Sequence, residues 1–438
     1  MLIKNVQRVP SNTRTNYMTD VSVVLPHTKI IDKIYQIKEK QWFLDIKKSS
    51  KKIASCSDIN IFIDLSFLDK QYQFAAALAI FKSTYKMTKY NSDKDHRRGQ
   101  CLCFVNQEAT VNIIKSLKQG NDIASEPANK LYPQMFCERV QKMFLTIDPE
   151  IKVSWYDEKQ IVKKGLGLVQ AVGVGAEMPP RFLKIEMVGQ MTNDPIVLIG
   201  KGVIFDSGGY NLKPGNSMTQ MKGDKTGGAI VVSIMHYFAK LGVKGRPTII
   251  GIIPLVENMI SHKAHKVGDV VTAYNGKTVE LLNMDAEGRL ILADALAYVS
   301  ANIKNPKMVL DFATLTGWAQ VLHCDTSFVF YTNNDNLSKE IETSGNSVGE
   351  RSIRLPNWPE YKVYTKSQIA DYKNVNFECG RTDGFMASMF LMNFIEKYVD
   401  KWAHFDVTHN VNGHNGHLVN AAATTIKMIQ NMAFFKNN

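Results

Sequence analysis

The sequence predicts an α/β protein in which a small N-terminal α/β domain precedes a larger domain built on a central mixed sheet flanked by helices on both faces. Three observations predict it. The chain has 438 residues, 45% hydrophobic and 21% charged, enough for two separately buried cores. Short apolar runs alternate with stretches of helical period along most of its length. In the second half, glycine turns separate each apolar run from the next helix, a pattern of strand, turn, helix and strand that covers a sheet on both sides. The expected boundaries are 1–106 for the first domain, 107–124 for a connecting helix and 125–438 for the second domain.

Up to Asn106, the apolar runs Val21 to Leu25, Ile61 to Leu65 and Leu102 to Val105 read as strands, and the Ala-rich stretch Tyr72 to Phe81 reads as a helix. A charged loop runs from Lys89 to Arg98. From Glu108 to Ala124, Val111, Ile113, Ile114, Leu117 and Ile123 keep helical spacing, and Pro127 and Pro133 punctuate the next segment. Beyond Leu166 the order is strand at Ile196 to Ile199, helix at Gly227 to Leu241, strand at Thr248 to Pro254, helix at Arg289 to Val299 and strand at Met308 to Ala313. In sheets of this kind a site sits where strands end.

Composition excludes several classes. No run of 18 or more apolar residues occurs, so no membrane-spanning helix is expected. Met1 to Asp20 carries Lys4, Arg8 and Arg14 without an acid before Asp20, which resembles a mitochondrial presequence, but Pro10 interrupts any helix and the segment has no apolar secretory core. The expectation is a cytoplasmic protein, with an organelle as the alternative. Six cysteines (Cys56, Cys101, Cys103, Cys137, Cys324, Cys379) are too dispersed for a disulfide framework, and Cys101 to Val105 reads as a strand. The formal charge of +12 comes from scattered lysines, and clusters such as Lys47 to Lys52 lack the interleaved aromatics of a nucleic-acid groove. A nucleic-acid partner is not expected.

The chemistry gathers elsewhere. Four carboxylates fall in glycine-flanked or turn-like contexts: Asp206 in GKGVIFDSGGYNLKP, Asp224 in MTQMKGDKTGG, and Asp285 with Glu287 in NMDAEGRL. Asp206 follows an apolar run and precedes two glycines, as at a strand end where backbone passes close to a ligand. Asp285 and Glu287 are two apart, and an extended backbone before Gly288 would point both to one side. Converging buried carboxylates are costly unless cations neutralise them. Two divalent ions would balance four negative charges, and bridging carboxylates hold such ions roughly 3.5 to 4 Å apart. Zinc, manganese and magnesium all fit on charge. Neither HExxH nor GxSxG occurs, so a hydrolase built on this site would use a metal-bound water or hydroxide as its attacking group.

These residues sit in words that resemble the leucine aminopeptidase (cytosol aminopeptidase) family. NMDAEGRLILADAL is similar to its NTDAEGRLxLADAL, and GKGVIFDSGGYNLKP to its GKGxxFDSGGxxxKP. The similarity extends from about Asn121 to Asp406, through IASEPANKLYP, VGVGAEMPPRFLKIE, PLVENMISHKAHKVGDV, ATLTGW and WAHFDV. Nothing before Asn106 matches as clearly. The resemblance implies a metal-dependent aminopeptidase that releases N-terminal amino acids from peptides by attack of a metal-bridging water or hydroxide. It implies that Asp206, Asp285 and Glu287 hold one ion, while Lys201, Asp206, Asp224 and Glu287 hold the other. Lys213 would polarise the scissile carbonyl. Arg289 would hold a bicarbonate acting as general base, whereas its spacing alone suggests an ion pair with Glu287. Met221, Asn283, Thr314, Leu315 and Gly317 match positions lining the substrate cleft. A homohexamer acting on peptides with a free N-terminus is the implied assembly and substrate class.

Two departures stand out. Met284 replaces the family's threonine, and Lys225 places a cation beside Asp224, where an inward side chain would compete with the metal. His404, His409, His414 and His417 are irregularly spaced and are not expected to form a further metal site. Two other readings stay open: a non-catalytic family member with an assembly or nucleic-acid-binding role, and a two-metal phosphohydrolase, which the peptidase words around Lys213 and Arg289 disfavour.

Overall fold

A computed structural model describes residues 2–5, 61–65, 70–90, 101–105, 108–192, 194–323, 327–377, 383–408 and 417–434. The apolar run at 21–25, the presequence-like segment from residue 6 onward, most of the loop at 89–98, Cys56, Cys324, Cys379, His409 and His414 lie outside the described residues. The chain divides into two compact units. One comprises Met1–Lys118 with Asn346–Gly349 and Asn412–Gly416, and the other comprises Gln119–Gly345, Glu350–Val411 and His417–Asn438.

In the first unit, β1 (Leu2–Asn5), β2 (Ile61–Asp64) and β3 (Cys101–Val105) form a parallel sheet in the order β1, β3, β2. Helix α1 (Lys70–Thr84) packs against β3, and its apolar run from Ala75 to Phe81 is buried throughout. Cys101 and Cys103 lie within β3, as their apolar surroundings predict. Helix α2 (Glu108–Ser125) has the expected extent to within one residue.

The second unit is built on a mixed sheet of nine strands. Its strands are β4 (Lys152–Tyr156), β5 (Arg181–Met187), β6 (Ile196–Gly200), β7 (Gly202–Asp206), β8 (Ile249–Asn258), β11 (Met308–Ala313), β12 (Ser327–Tyr331), β13 (Arg351–Leu355) and β15 (Trp402–Asp406). Their order is β13, β12, β15, β11, β6, β8, β5, β4, with β7 paired to β8. The centre is parallel: β15 with β11, β11 with β6, and β8 with both β6 and β7. Antiparallel joints occur at β12 with β15, β8 with β5 and β5 with β4. Parallel strands covered on both faces are mostly apolar, and β6 and β11 are buried at every position, Asp311 of β11 included. A small separate sheet joins β9 (Val270–Thr272), β10 (Thr278–Glu280) and β14 (Tyr372–Lys373). Helices α3 (Pro133–Ile147) and α4 (Glu158–Lys164) pack beside β4 at the sheet edge, and α8 (Gly317–His323) and α9 (Asp335–Val348) lie on either side of β12 in the chain.

Two helices with no polar face cover the centre of the large sheet. Helix α6 (Thr226–Ala239) is buried at every residue. It lies on the face of β8 where Gly251 meets Val231 and Met235, and Gly251 has no side chain because a Cβ there would stand 2.5 Å from the Met235 sulfur. Helix α7 (Glu287–Asn302) is buried from Glu287 to Val299, and its Leu290, Ile291 and Leu292 share a cluster with Val197 and Ile199 of β6, Ile252 of β8 and Val309 of β11. Short helix α5 (Gly167–Gly173) packs beside α7. Full burial on both sides follows the rule that a helix apolar all round belongs to a core.

One buried carboxylate organises this layer. Asp294 in α7 accepts hydrogen bonds from the backbone N–H groups of Leu168 (2.8 Å) and Val169 (3.0 Å) at the start of α5, and from that of Tyr274 (2.8 Å). The first two are donors that a helix leaves unpaired at its N-terminus. Asp294→Ala is expected to destabilise the protein by about 2–4 kcal/mol, because two buried donors and one half-buried donor lose their acceptor; chemical denaturation monitored by far-UV circular dichroism checks this.

Burial, with a contribution from Lys240, lowers the pKa of His236 in α6 to about 4. Below pH 6.5 the unfolded chain takes up a proton that the folded chain refuses, so stability falls as pH drops from 6.5 toward 4. The loss amounts to about 3 kcal/mol at most. Denaturation series at pH 7, 6 and 5 are expected to show this slope in the native sequence and a flatter one in His236→Gln.

Candidate active site

The site lies at the C-terminal ends of the parallel strands, where open α/β sheets leave a crevice. Lys201 occupies the break between β6 and β7. Its N–H donates to the Phe312 carbonyl of β11 (2.9 Å) and its own carbonyl accepts from Gly228 in α6 (2.8 Å), so this residue leaves the ladder between two strands that both pair with β8. A register shift between Val203 and Phe205 then bends β7 just before Asp206. Gly208 and Gly209 come next with φ of 87° and 57°, a left-handed turn that brings Lys213 back over the strand end, with its N–H on the Ser207 carbonyl at 3.0 Å.

Asp285 arrives differently from the expected extended stretch. Met284 and Asp285 form a turn, and Glu287 is already the first residue of α7. The Asn283 side chain accepts from the Asp285 N–H at 2.8 Å, closing an Asx-type turn that aims both carboxylates inward without strand alternation. Glycine is required at the position after Glu287, since a Cβ on Gly288 would come within 2.7 Å of the Lys201 Nζ.

Asp206, Asp285 and Glu287 each present a carboxylate oxygen within 4.8 Å of the others. Lys201 Nζ lies 2.8 Å from Asp224 Oδ1 and 2.7 Å from Glu287 Oε1, and donates to the Thr314 carbonyl at 2.8 Å. Lys213 Nζ lies 2.8 Å from Asp206 Oδ2 and 2.6 Å from Asp285 Oδ1. All four carboxylates and both lysines therefore belong to one ion-pair cluster. Asp206, Asp224, Glu287 and Lys201 are buried, while Asp285 and Lys213 are partly exposed at its open side.

The electrostatics reflect crowding. Burial, then Glu287 and Asp206, push the Asp224 carboxyl well above its ordinary range against the pull of Lys201. Burial and Asp206 raise Asp285 to about 7. Burial pulls the Lys201 and Lys213 ammonium groups down, but Asp224, Glu287 and Asp206 around Lys201, and Asp206 and Glu287 near Lys213, push them up by more. Carboxylates outnumber ammonium groups, and Asp224 Oδ2 is buried without a hydrogen-bond partner. An excess of desolvated oxygen ligands with an unsatisfied lone pair fits divalent cations.

Neutral donors hold the ligands in place. Asn258 at the end of β8 donates from one amide nitrogen to Asp206 Oδ1 (2.8 Å) and to the Met284 carbonyl (2.9 Å). The Thr314 hydroxyl donates to Asp224 Oδ1 at 2.7 Å, and Asn211 Oδ1 accepts from the Met284 N–H at 2.7 Å. Sequence reasoning misses Asn258 and Asn211, although both lie inside the family-like words. An amide that serves only as a brace carries no charge to mark it.

Among the cleft positions, Thr314 touches the cluster and Asn283 braces Asp285. Met221 stands half-buried in a 3-10 turn before Asp224, whose N–H it accepts at 3.3 Å. Leu315 is half-buried, with its N–H on Asp406 at 3.2 Å, and Gly317 is exposed at the start of α8. Lys225 points away from the carboxylates: its Nζ donates to the carbonyls of Glu126 (2.8 Å) and Lys222, and burial lowers its pKa to about 7. Met284 is a buried member of the core around α7. His404 is paired with Asp311 at 2.5 Å inside the sheet, the His417 ring packs on Gly223, and neither belongs to the one metal-ligating group found among the described residues.

Arg289 does not pair with Glu287. Its Nη1 donates to the Asn374 carbonyl at 2.8 Å, its Nη2 to the carboxylate of Asp383, and its buried Nε has no partner. A carboxylate of the chain already holds Nη2, so a bicarbonate on this guanidinium would have to share that nitrogen or take Nε.

The catalytic-domain model of the cytosol aminopeptidase family matches residues 119–430. A probable cytosol aminopeptidase of Nitrobacter winogradskyi is 38% identical over 309 residues, which are 70% of this chain and 59% of that relative. Its counterpart in Brucella ovis is 35% identical over 353 residues, 77% of this chain and 69% of the relative. One from Sinorhizobium fredii is 32% identical over 423 residues, 90% of this chain and 83% of the relative. Among solved structures, the bottromycin maturation enzyme BotP in complex with Mn aligns with a TM-score of 0.79 at 26% identity, covering 91% of this chain and 88% of that one. With the catalytic-domain model spanning residues 119–430 and relatives 32–38% identical to it, the chain belongs to the cytosol aminopeptidase family.

Proposed function

We propose that this protein is a metal-dependent aminopeptidase that removes N-terminal residues from peptides, using two divalent cations held by Asp206, Asp224, Asp285, Glu287 and Lys201. The observation that carries the reading is the convergence of three carboxylates within 4.8 Å at a strand-end crevice, with a fourth joined through Lys201. Asp206, Asp285 and Glu287 would hold one cation, and Lys201, Asp206, Asp224 and Glu287 the other. Manganese or zinc is the expected metal, manganese being what the BotP structure contains. When bound, such ions supply Lewis acidity toward a peptide carbonyl and lower the pKa of water.

The chain's own residues do the rest. Lys213, partly exposed at the open side, would donate to the carbonyl oxygen of the scissile bond as negative charge develops there. Lys201 would coordinate only as a neutral amine, so a metal held there would require its Nζ to give up a proton, and the Thr314 carbonyl keeps that nitrogen aimed at the cluster. Asn283, Thr314, Leu315, Gly317 and Met221 would border the peptide's first residue, and a free α-amine facing the cations would limit cleavage to chain ends. No helix among the described residues is long and apolar enough to cross a membrane. A homohexamer in the cytoplasm acting on short peptides is the assembly we expect. A role confined to assembly or nucleic-acid binding gives no reason for a buried carboxylate excess.

Purified protein is expected to release amino acids from a panel of amino-acid amides with added manganese or zinc and to stop when a chelator is present. Asp285→Ala, which removes a ligand at the open side, is expected to lower kcat/KM by at least about 100-fold while leaving the circular dichroism spectrum unchanged. A folded protein that releases nothing with either metal would sink the proposal.

A further inference from the structure

Arg289 is 1% exposed and sits in the first turn of α7, two residues after Glu287, so any part it plays in turnover rests on the aminopeptidase reading. A guanidinium cannot discard its proton, so a buried one requires an anion. The chain supplies that anion itself. The Asp383 carboxylate meets Nη2, and Asp383 is the first residue of α10 (Asp383–Met392), with a side chain 41% exposed. One side of this carboxylate rests on the buried arginine while the rest remains open to solvent. The neighbouring residue ties it to the cleft: a Cβ on Gly384 would stand 2.5 Å from the Tyr331 hydroxyl and 3.6 Å from that of Thr316, in the same loop as Thr314.

We propose that Asp383 fills the anion-binding end of Arg289 in covalent form, as a positioning residue that makes the site independent of a diffusible bicarbonate. The chemistry of the two anions is alike. Each offers a planar pair of oxygens to a guanidinium, and an Asp side chain needs no binding from solution because its chain position supplies it. The Asn374 carbonyl on Nη1 orients the guanidinium so that Nη2 faces Asp383. Removing the carboxylate leaves a buried cation with an open anion position, which a small carboxylate-like ion from solution can enter.

The test uses the full chain in carbon-dioxide-depleted buffer, with and without about 10 mM bicarbonate, comparing the native sequence with Asp383→Ala and Asp383→Asn. Two quantities are read: kcat for amide release with manganese, and the melting temperature. The native sequence is expected to ignore bicarbonate in both. Asp383→Ala is expected to lose about 100-fold in kcat, to regain most of it with bicarbonate, and to melt higher when bicarbonate is present. Asp383→Asn keeps the volume without the charge and is expected to stay folded, inactive and unrescued. A native protein that needs bicarbonate overturns the inference, and so does an Asp383→Ala protein whose activity and melting temperature both ignore it. Should no variant release amino acid with any metal, the aminopeptidase reading falls, and the melting-temperature comparison still decides which anion Arg289 holds.

Discussion

Mutual repulsion among four desolvated carboxylates is the constraint around which the second unit is arranged. Left alone, such a cluster would swell, take up protons or draw in water. The fold prevents the first by bracing the four acids from three rigid elements: Asp206 from the bent end of β7, Asp224 from the turn before α6, and Asp285 with Glu287 from the turn into α7 and its first residue. Lys201 and Lys213 offset part of the charge. What they leave uncompensated is the attraction for divalent ions. The fully buried core of helices α6 and α7 makes this tolerable, because their packing on the sheet fixes the termini from which the acids project.

Much of this architecture is legible in the sequence, and the reason is local. Strands β6, β8 and β11 appear as largely apolar runs because both their faces are covered, and α6 and α7 appear between them because apolar residues dominate their buried positions. The carboxylates are legible because glycines accompany them wherever backbone must turn sharply or approach closely. Relations between distant segments are not legible. Asp383 lies 94 residues from Arg289, and no spacing rule joins them. The inward or outward course of Lys225 depended on a carbonyl at Glu126, 99 residues away. Asp285 and Glu287 do converge, but through a side-chain-closed turn whose geometry simple strand periodicity cannot express.

Polar groups buried beneath the site serve the same end by other means. In the sheet, Asp311 accepts from the Trp402 indole at 2.6 Å and pairs with His404, so strands β11 and β15 are joined through side chains as well as backbone. Asp406, at the end of β15, accepts from the N–H groups of Leu315 and Thr316 and from the Thr316 hydroxyl. The loop carrying Thr314 is thus anchored from below while its carbonyl and hydroxyl face the cluster. Each of these acids is occupied by neutral donors or by His404, which separates them chemically from the four that compete for cations.

Asn258 links two of the loops that would grip the ions, reaching Asp206 with one hydrogen bond and the Met284 carbonyl with another. An uncharged amide neither titrates nor is driven out when a dication enters. The gap between the two loops is therefore set before any ion arrives, like a calliper locked at one opening, and exchanging one metal for another alters what fills that gap while leaving its width to the amide.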